Sequence, residues 1–161
     1  MNKNSKFKTH YASPLGIIEL TASERGVFSL YFVKKATGKN SENKVLKDCK
    51  KQLDEYFNRK RIEFALPLDM EGTAFQKKVW SELLKIPFGK TISYLELAKR
   101  VGDRNSIRAV GGANGKNPVS VIVPCHRVIG STGKLIGYVG GIEKKRWLLD
   151  FESEATTPKL F

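Results

Sequence analysis

An α+β fold is predicted for this chain from three observations. The first third alternates apolar and polar residues between short turns, as paired strands do; apolar residues then recur at helical spacing; and the C-terminal half opens with two capping-box sequences. An N-terminal β-meander with one helix, residues 1–71, is expected to pack on a mainly helical C-terminal part, residues 72–161, that carries a helix-turn-helix. The 161 residues suffice for a real core in one domain, or in a main domain with a smaller subdomain.

The meander is read from Lys8 to Val33. Segments Lys8–Ala12, Ile17–Thr21 and Val27–Val33 are separated by the turns Ser13-Pro14-Leu15-Gly16 and Glu24-Arg25-Gly26. After a polar loop, Val45, Leu46, Cys49, Leu53, Tyr56 and Phe57 mark one face of a helix. Cys49 on that face is a packing residue, because a cysteine among apolar neighbours is among the most often buried residue types. Alternating Ile62, Phe64 and Leu66 predict one more strand before Pro67.

Thr73 to Gln76 has the form of a capping box, and Phe75, Val79, Leu83 and Leu84 continue it as a helical stripe that stops at Ile86-Pro87-Phe88-Gly89. Ser93 to Glu96 repeats the form and opens a short helix with Leu95, Ala98 and Val101 inward, ended by Gly102. Asn105 or Ser106 can cap a third helix through Val110, which Gly111, Gly112 and Gly115 are expected to stop. Two short helices around a Gly-containing turn make a helix-turn-helix pattern, with Arg108 near the start of the second helix. From the pattern alone, Arg108 is equally a DNA contact or an ordinary surface charge.

Val119–Val123, β-branched at every position but Ser120, is expected to be a buried strand that delivers Pro124-Cys125-His126-Arg127. Five glycines from Gly130 to Gly141 surround Tyr138 in a loop that turns tightly or approaches a ligand closely. Glu143–Phe151 closes the fold as a helix with Trp147, Leu148 and Phe151 on one face, and the tail from Ser153 is expected to fray.

Twenty-nine Lys and Arg against 16 Asp and Glu give a formal net charge of +13, which favours a polyanion or an anionic surface as partner; a solvated basic surface is the alternative. Two cysteines are too few for a secreted disulfide framework, so a reducing cytoplasmic setting is expected. No stretch approaches the roughly 18 apolar residues of a membrane span, and no membrane partner is expected. Metal binding is disfavoured, because His10 lies far from His126 in sequence and Cys49 reads as core.

A thiolate is a far stronger nucleophile than a thiol, and adjacent positive charge favours it, so Cys125 beside His126 and Arg127 is the candidate nucleophile. Pro124-Cys125-His126-Arg127-Val128, with Asn117-Pro118, Ser93-Tyr94 and Arg108-Ala109-Val110-Gly111 before it and Gly137-Tyr138-Val139-Gly140-Gly141 after it, resembles the O6-alkylguanine-DNA alkyltransferases over about Gly72 to Glu152. The resemblance implies irreversible transfer of an alkyl group from guanine O6, with O4-alkylthymine as a second substrate class, onto Cys125 in a single turnover without a cofactor. It implies that His126 draws the thiol proton through a water and that Glu152 orients His126. Asn117 would hold the active-site turn, and the Tyr94 hydroxyl would help neutralise the departing guanine. Tyr138, Val139 and Val128 would line the base pocket, with Ser93, Arg108 and Arg127 among the DNA and substrate contacts.

The implied partner is double-stranded DNA carrying alkylated guanine, bound by a monomer. A base inside a duplex is out of reach, so it must be flipped; Arg108 would fill the gap from a recognition helix lying in the minor groove. Where many relatives have Gly-x-Pro before that helix, this chain has Gly102-Asp103-Arg104, which removes a stiffening proline and adds a cation. Two other classes stay open on the residues alone. One is a DNA-binding protein of the same fold that flags lesions or regulates transcription without chemistry; the other is a cysteine hydrolase, which would turn over repeatedly.

Overall fold

The computed structural model describes residues 7–138 and 140–156. The chain divides into two units, one formed by the residues up to Glu71 together with Pro118–Ile122, the other by Gly72–Asn117 and the residues from Val123 onward.

In the first unit, strands β1 (Phe7–Ser13), β2 (Gly16–Ala22) and β3 (Val27–Val33) form an antiparallel meander in the order β1-β2-β3. Period-2 alternation along β2 buries Ile18, Leu20 and Ala22 on one face. Helix α1 (Lys44–Phe57) packs against that sheet. Asn43 caps it by accepting from the Leu46 amide, and Leu46, Cys49, Leu53, Tyr56 and Phe57 form its buried stripe. Each large side chain buried there stabilises the unit by about 1.5–3 kcal/mol. Cys49 is fully buried, and burial pushes its thiol up to about 12, so it packs and does not react.

The strand expected around Ile62, Phe64 and Leu66 does not form. Ile62 is 59% exposed, and the backbone of Ala65 is satisfied on both sides by the Gln52 amide, which donates to its carbonyl at 3.1 Å and accepts from its N–H at 2.8 Å. A buried glutamine thus takes the place of a neighbouring strand. Leu68 makes only an isolated parallel bridge to Val27.

Val119–Val123 is not a strand either. Val119 makes an isolated bridge to Leu30, after which the Ile122 N–H donates to the Ser120 carbonyl at 2.8 Å across a three-residue turn centred on Val121. That turn puts Val121 at φ 72°, a left-handed conformation that a β-branched residue adopts only under strain. The run is apolar because it is buried, not because it is extended, and periodicity cannot separate the two cases.

Among the described residues, the second unit is built on four α-helices. Helix α2 (Ala74–Leu83) has a complete capping box between Thr73 and Gln76. Strand β4 (Ile92–Ser93) leads into α3 (Tyr94–Val101). There Ser93 caps the helix by accepting from the Glu96 amide, whereas the Glu96 carboxylate turns to Arg100 at 3.0 Å and so leaves its capping box half-made. Gly102, at φ 124°, ends α3 in a conformation that excludes most side chains.

A single 3₁₀ turn, Arg104–Ser106, precedes α4 (Ile107–Gly115). Asp103 caps that turn by accepting from the Asn105 amide, so neither Asn105 nor Ser106 supplies the expected side-chain cap. Contrary to expectation, α4 runs through Gly111, Gly112 and Gly115. Packing of α4 on α2 and α3 overrides glycine's helix cost of about 1 kcal/mol per residue.

Strand β5 (Val128–Ile129) pairs parallel with β4, matching Val128 to Ile92 and Ile129 to Ser93. Helix α5 (Ile142–Thr156) extends past the expected end at Phe151; of the tail expected to fray, residues 157–161 lie outside the described residues. Among the described residues, no helix is long and apolar enough to cross a membrane.

Candidate active site

Cys125 opens a single 3₁₀ turn, Cys125–Arg127, immediately after Pro124. The turn is braced from both sides: the Cys125 N–H donates to the Val123 carbonyl at 2.8 Å, and the Asn117 side-chain amide donates to the same carbonyl at 2.8 Å. Asn117 is 1% exposed, so its bond is shielded from competing water. Cys125 is itself only 4% exposed.

His126 and Glu152 meet. The imidazole Nε2 lies 2.9 Å from Glu152 Oε2, both side chains are buried, and Nδ1 has no hydrogen-bond partner among the described residues. Burial pushes the imidazole below its ordinary value, against the opposing pull of Glu152. A neutral ring therefore donates from Nε2 to the carboxylate and keeps a free lone pair on Nδ1, the arrangement a general base needs.

Glu152 is also held by Arg127, whose Nε and one terminal nitrogen reach its two oxygens at 2.8 and 2.9 Å, while the other terminal nitrogen donates to the Ile86 carbonyl at 2.7 Å. Burial alone would raise the Glu152 carboxyl, but hydrogen bonds from His126 and Arg127 together with the guanidinium charge hold it well below the usual carboxylate range. Arg127 is 6% exposed with its fork spent on Glu152. That position makes it a clamp for the carboxylate and not the DNA contact expected from sequence.

Beside this cluster lies a cavity of about 620 Å³, within the roughly 300–1,000 Å³ range of small-molecule sites. Tyr94 of α3 lines it, as do Gly130, Ile136, Gly137 and Tyr138 of the glycine-rich loop and Ile107, Gly111, Asn114 and Gly115 of α4. The α4 residues fall at i, i+4, i+7 and i+8, one helical face on which two positions carry no side chain. Tyr94 and Tyr138 are therefore brought together at the cavity, whereas Cys125 is not among its lining residues. Val128 is fully buried, and Ser93 uses its hydroxyl oxygen to cap α3. Val139 lies outside the described residues. Arg108 is exposed on the first turn of α4.

Two residues that sequence reasoning passed over belong to this region. Lys145 is fully buried, and its ammonium donates to the carbonyls of Val128 at 2.7 Å and Ile136 at 3.0 Å, tying β5 to the glycine-rich loop. Its signal was present: Lys145 precedes Leu148 by three residues and Glu152 by seven, which puts it on the inward stripe of α5. Asn114, 3% exposed, donates to the Cys125 carbonyl at 3.4 Å. The Tyr94 hydroxyl donates to the Ile136 carbonyl at 3.1 Å. Burial raises its titration above the ordinary value, a hydrogen bond from Asn114 partly opposes that, and negative charge on Cys125 adds to it.

Lys145 carries a pH prediction. Burial lowers its ammonium from 10.5 to about 8, while attraction to a Cys125 thiolate works the other way. Between about 8 and 10.5 the native amine is deprotonated and the unfolded one is not, so this group makes stability rise with pH across that window. Thiolate support is lost over the same window. In the Lys145→Met variant both trends should flatten, read by urea midpoints and by the rate of Cys125 alkylation with iodoacetamide from about pH 7 to about pH 10.

Residues 74–154 match the family described as 6-O-methylguanine DNA methyltransferase, DNA binding domain, and residues 6–70 match its ribonuclease-like domain. The chain belongs to the 6-O-methylguanine DNA methyltransferase family. A methylated-DNA–protein-cysteine methyltransferase of Methanosarcina barkeri is 44% identical over 149 residues, covering 87% of this chain and 92% of that protein. One from Mycobacterium leprae is 50% identical over 119 residues, 74% of this chain and 72% of the relative. Among solved structures, the Mycobacterium tuberculosis protein OGT in complex with DNA superposes with a TM-score of 0.83 at 41% identity, covering 91% of this chain and 92% of that one. The structure of the M. tuberculosis O6-methylguanine methyltransferase gives 0.85 at 39% identity over 95% and 96%. Family membership accounts for the order of the two matched regions along the chain, the meander first and the helical, thiol-bearing part second.

Proposed function

We propose that the protein repairs DNA by transferring the alkyl group of O6-alkylguanine to Cys125, once per molecule. The observation that carries this reading is the buried Cys125-His126 turn whose imidazole is backed by Glu152 and left with a free Nδ1, beside a cavity with room for a base. His126 Nδ1 takes the Cys125 proton through a water, Glu152 stabilises the imidazolium, and Lys145 favours the thiolate electrostatically. The thiolate sulfur attacks the saturated alkyl carbon in line and a C–S bond forms as the C–O bond breaks. Guanine leaves with the electron pair and gains a proton. Tyr94, whose phenol stays protonated, serves as the donor to that negative charge once its O–H turns from the Ile136 carbonyl to the base.

The substrate is a base flipped from double-stranded DNA, with Ile107 and Arg108 at the exposed start of α4 facing the duplex. Incubation with a duplex holding one O6-methylguanine should add one methyl group to the peptide containing Cys125, at one equivalent per protein molecule, read by mass spectrometry. Lesion binding without modified cysteine would instead support a lesion-flagging protein, and repeated turnover would support a hydrolase. Arg108→Ala should slow reaction with the paired lesion about tenfold or more, the scale of a lost flipping contact, while leaving reaction with free O6-benzylguanine nearly unchanged. Rates on both substrates decide it, and equal losses would remove Arg108 from flipping.

A further inference from the structure

The mouth of the cavity is neutral. Among the described residues, five that line it are exposed, Ile107 and Gly115 on α4 and Ser131, Ile136 and Gly137 on the glycine-rich loop, and none of them carries a charge. The cations lie outside: Arg104, Arg108 and Lys116 are exposed, and none lines the cavity. In a chain of net charge +13, such a ring fits a ligand that is uncharged at that depth and anionic beyond it. The two large members of the ring are the isoleucines, 41% exposed at Ile107 and 49% at Ile136. Both are seated. Ile107 opens the first turn of α4, and Ile136 lies over Gly130, where a Cβ would come within 3.3 Å of its Cδ1, while the Lys145 ammonium donates to its carbonyl at 3.0 Å. Two isoleucines held half in water on one rim are favoured only if apolar surface covers them.

A flipped nucleotide presents apolar surface at just that depth. Its base is inside the cavity and its phosphates, carried on the 3′ and 5′ positions, are outside, so the sugar sits at the mouth with its C1′–C2′ edge turned inward. In DNA the 2′ position is a methylene group, whereas in RNA it bears a hydroxyl that needs a hydrogen-bond partner. We propose that Ile107 and Ile136 form an apolar collar that packs on the 2′-methylene of the flipped nucleotide, and so makes this site prefer a lesion on a deoxyribonucleotide over the same lesion on a ribonucleotide. The proposal rests on the alkyl-transfer reading of the cavity and adds the sugar to what the site selects.

The test compares methyl-transfer rates to Cys125 from two DNA duplexes that differ only by a 2′-hydroxyl on the O6-methylguanine nucleotide, using the wild-type protein and the double variant Ile107→Ala/Ile136→Ala. Free O6-benzylguanine, which has no sugar, is the control. The wild-type protein should favour the deoxyribonucleotide by about tenfold, the scale set by pressing an unpaired hydroxyl against apolar surface. The double variant should react more slowly with the deoxyribonucleotide and bring the ratio near one, with its rate on the free base held within about twofold of wild type. A wild-type ratio within about twofold of one overturns the proposal, as does a ratio that persists in the variant, which would assign the hydroxyl's effect to sugar pucker. An equal loss on the free base also overturns it, by making the isoleucines walls for the base. Both side chains are exposed, so their truncation should leave the fold intact; should the double variant fail to fold, each single variant should move the ratio in the same direction. Absence of transfer from either duplex by the wild-type protein would instead refute the underlying alkyl-transfer reading.

Discussion

Glu152→Ala is expected to destabilise the second unit by about 3–5 kcal/mol, because it strips a buried guanidinium of its counter-charge. Arg127 is 6% exposed and places two donors on the carboxylate, and His126 places a third. Truncation leaves those donors without their acceptor in a site that is almost wholly buried. Urea unfolding measures the loss, and a change below about 1 kcal/mol would mean the cluster relaxes into solvent on truncation. Glu152→Gln keeps the shape and one acceptor oxygen, so its stability loss should be smaller. Its transfer rate should still fall by about a hundredfold, because the charge that stabilises the imidazolium is lost. The pH dependence follows the sign of the shift: with the carboxyl depressed below 4.5 in the native state, its contribution is complete above that value and drains away as the pH falls below it.

Cys125→Ser should retain the fold and lesion binding while losing methyl transfer by on the order of 10⁴-fold or more. Serine fits the space of a 4% exposed cysteine, and the turn is braced by backbone and Asn117 bonds that do not involve the side chain. What changes is the nucleophile. A hydroxyl ionises far less readily than a thiol, and the His126 base is too weak to offset that against a saturated carbon. Gel-shift affinity for a methylated duplex together with methyl transfer separates the two properties. Substantial transfer by the serine variant would place the acceptor elsewhere in the chain.

The parts of this molecule legible from sequence are those whose signal is local. Thr73 and Gln76 cap each other within a single turn, and Ile18, Leu20 and Ala22 alternate along one strand, so neither depends on distant chain. Val119–Val123 and Ile62–Leu66 were misread because their backbone partners are remote: Leu30 for the first, and for the second the side chain of Gln52, which no strand rule anticipates. At the site, the motif pointed to His126 and Glu152, but Arg127 looked like a DNA contact until its fork was found on Glu152. Lys145 was missed because a lysine is a surface residue by default, and two buried carbonyls outweigh that default here.

The bare face of α4 sets stability against access. Gly111 and Gly115 border the cavity, while a Cβ added at Gly112 or Gly115 would meet nothing within 4 Å. Alanine at any of the three would strengthen the helix by roughly 0.5–1 kcal/mol. At Gly112, which does not line the cavity, that gain should come without loss of transfer. At Gly115 the same methyl group would occupy room the incoming base needs, so thermal hardening and repair rate should move in opposite directions. A laboratory selection for heat resistance alone would therefore be expected to close this pocket, and one that also demands repair should accept alanine at Gly112 first.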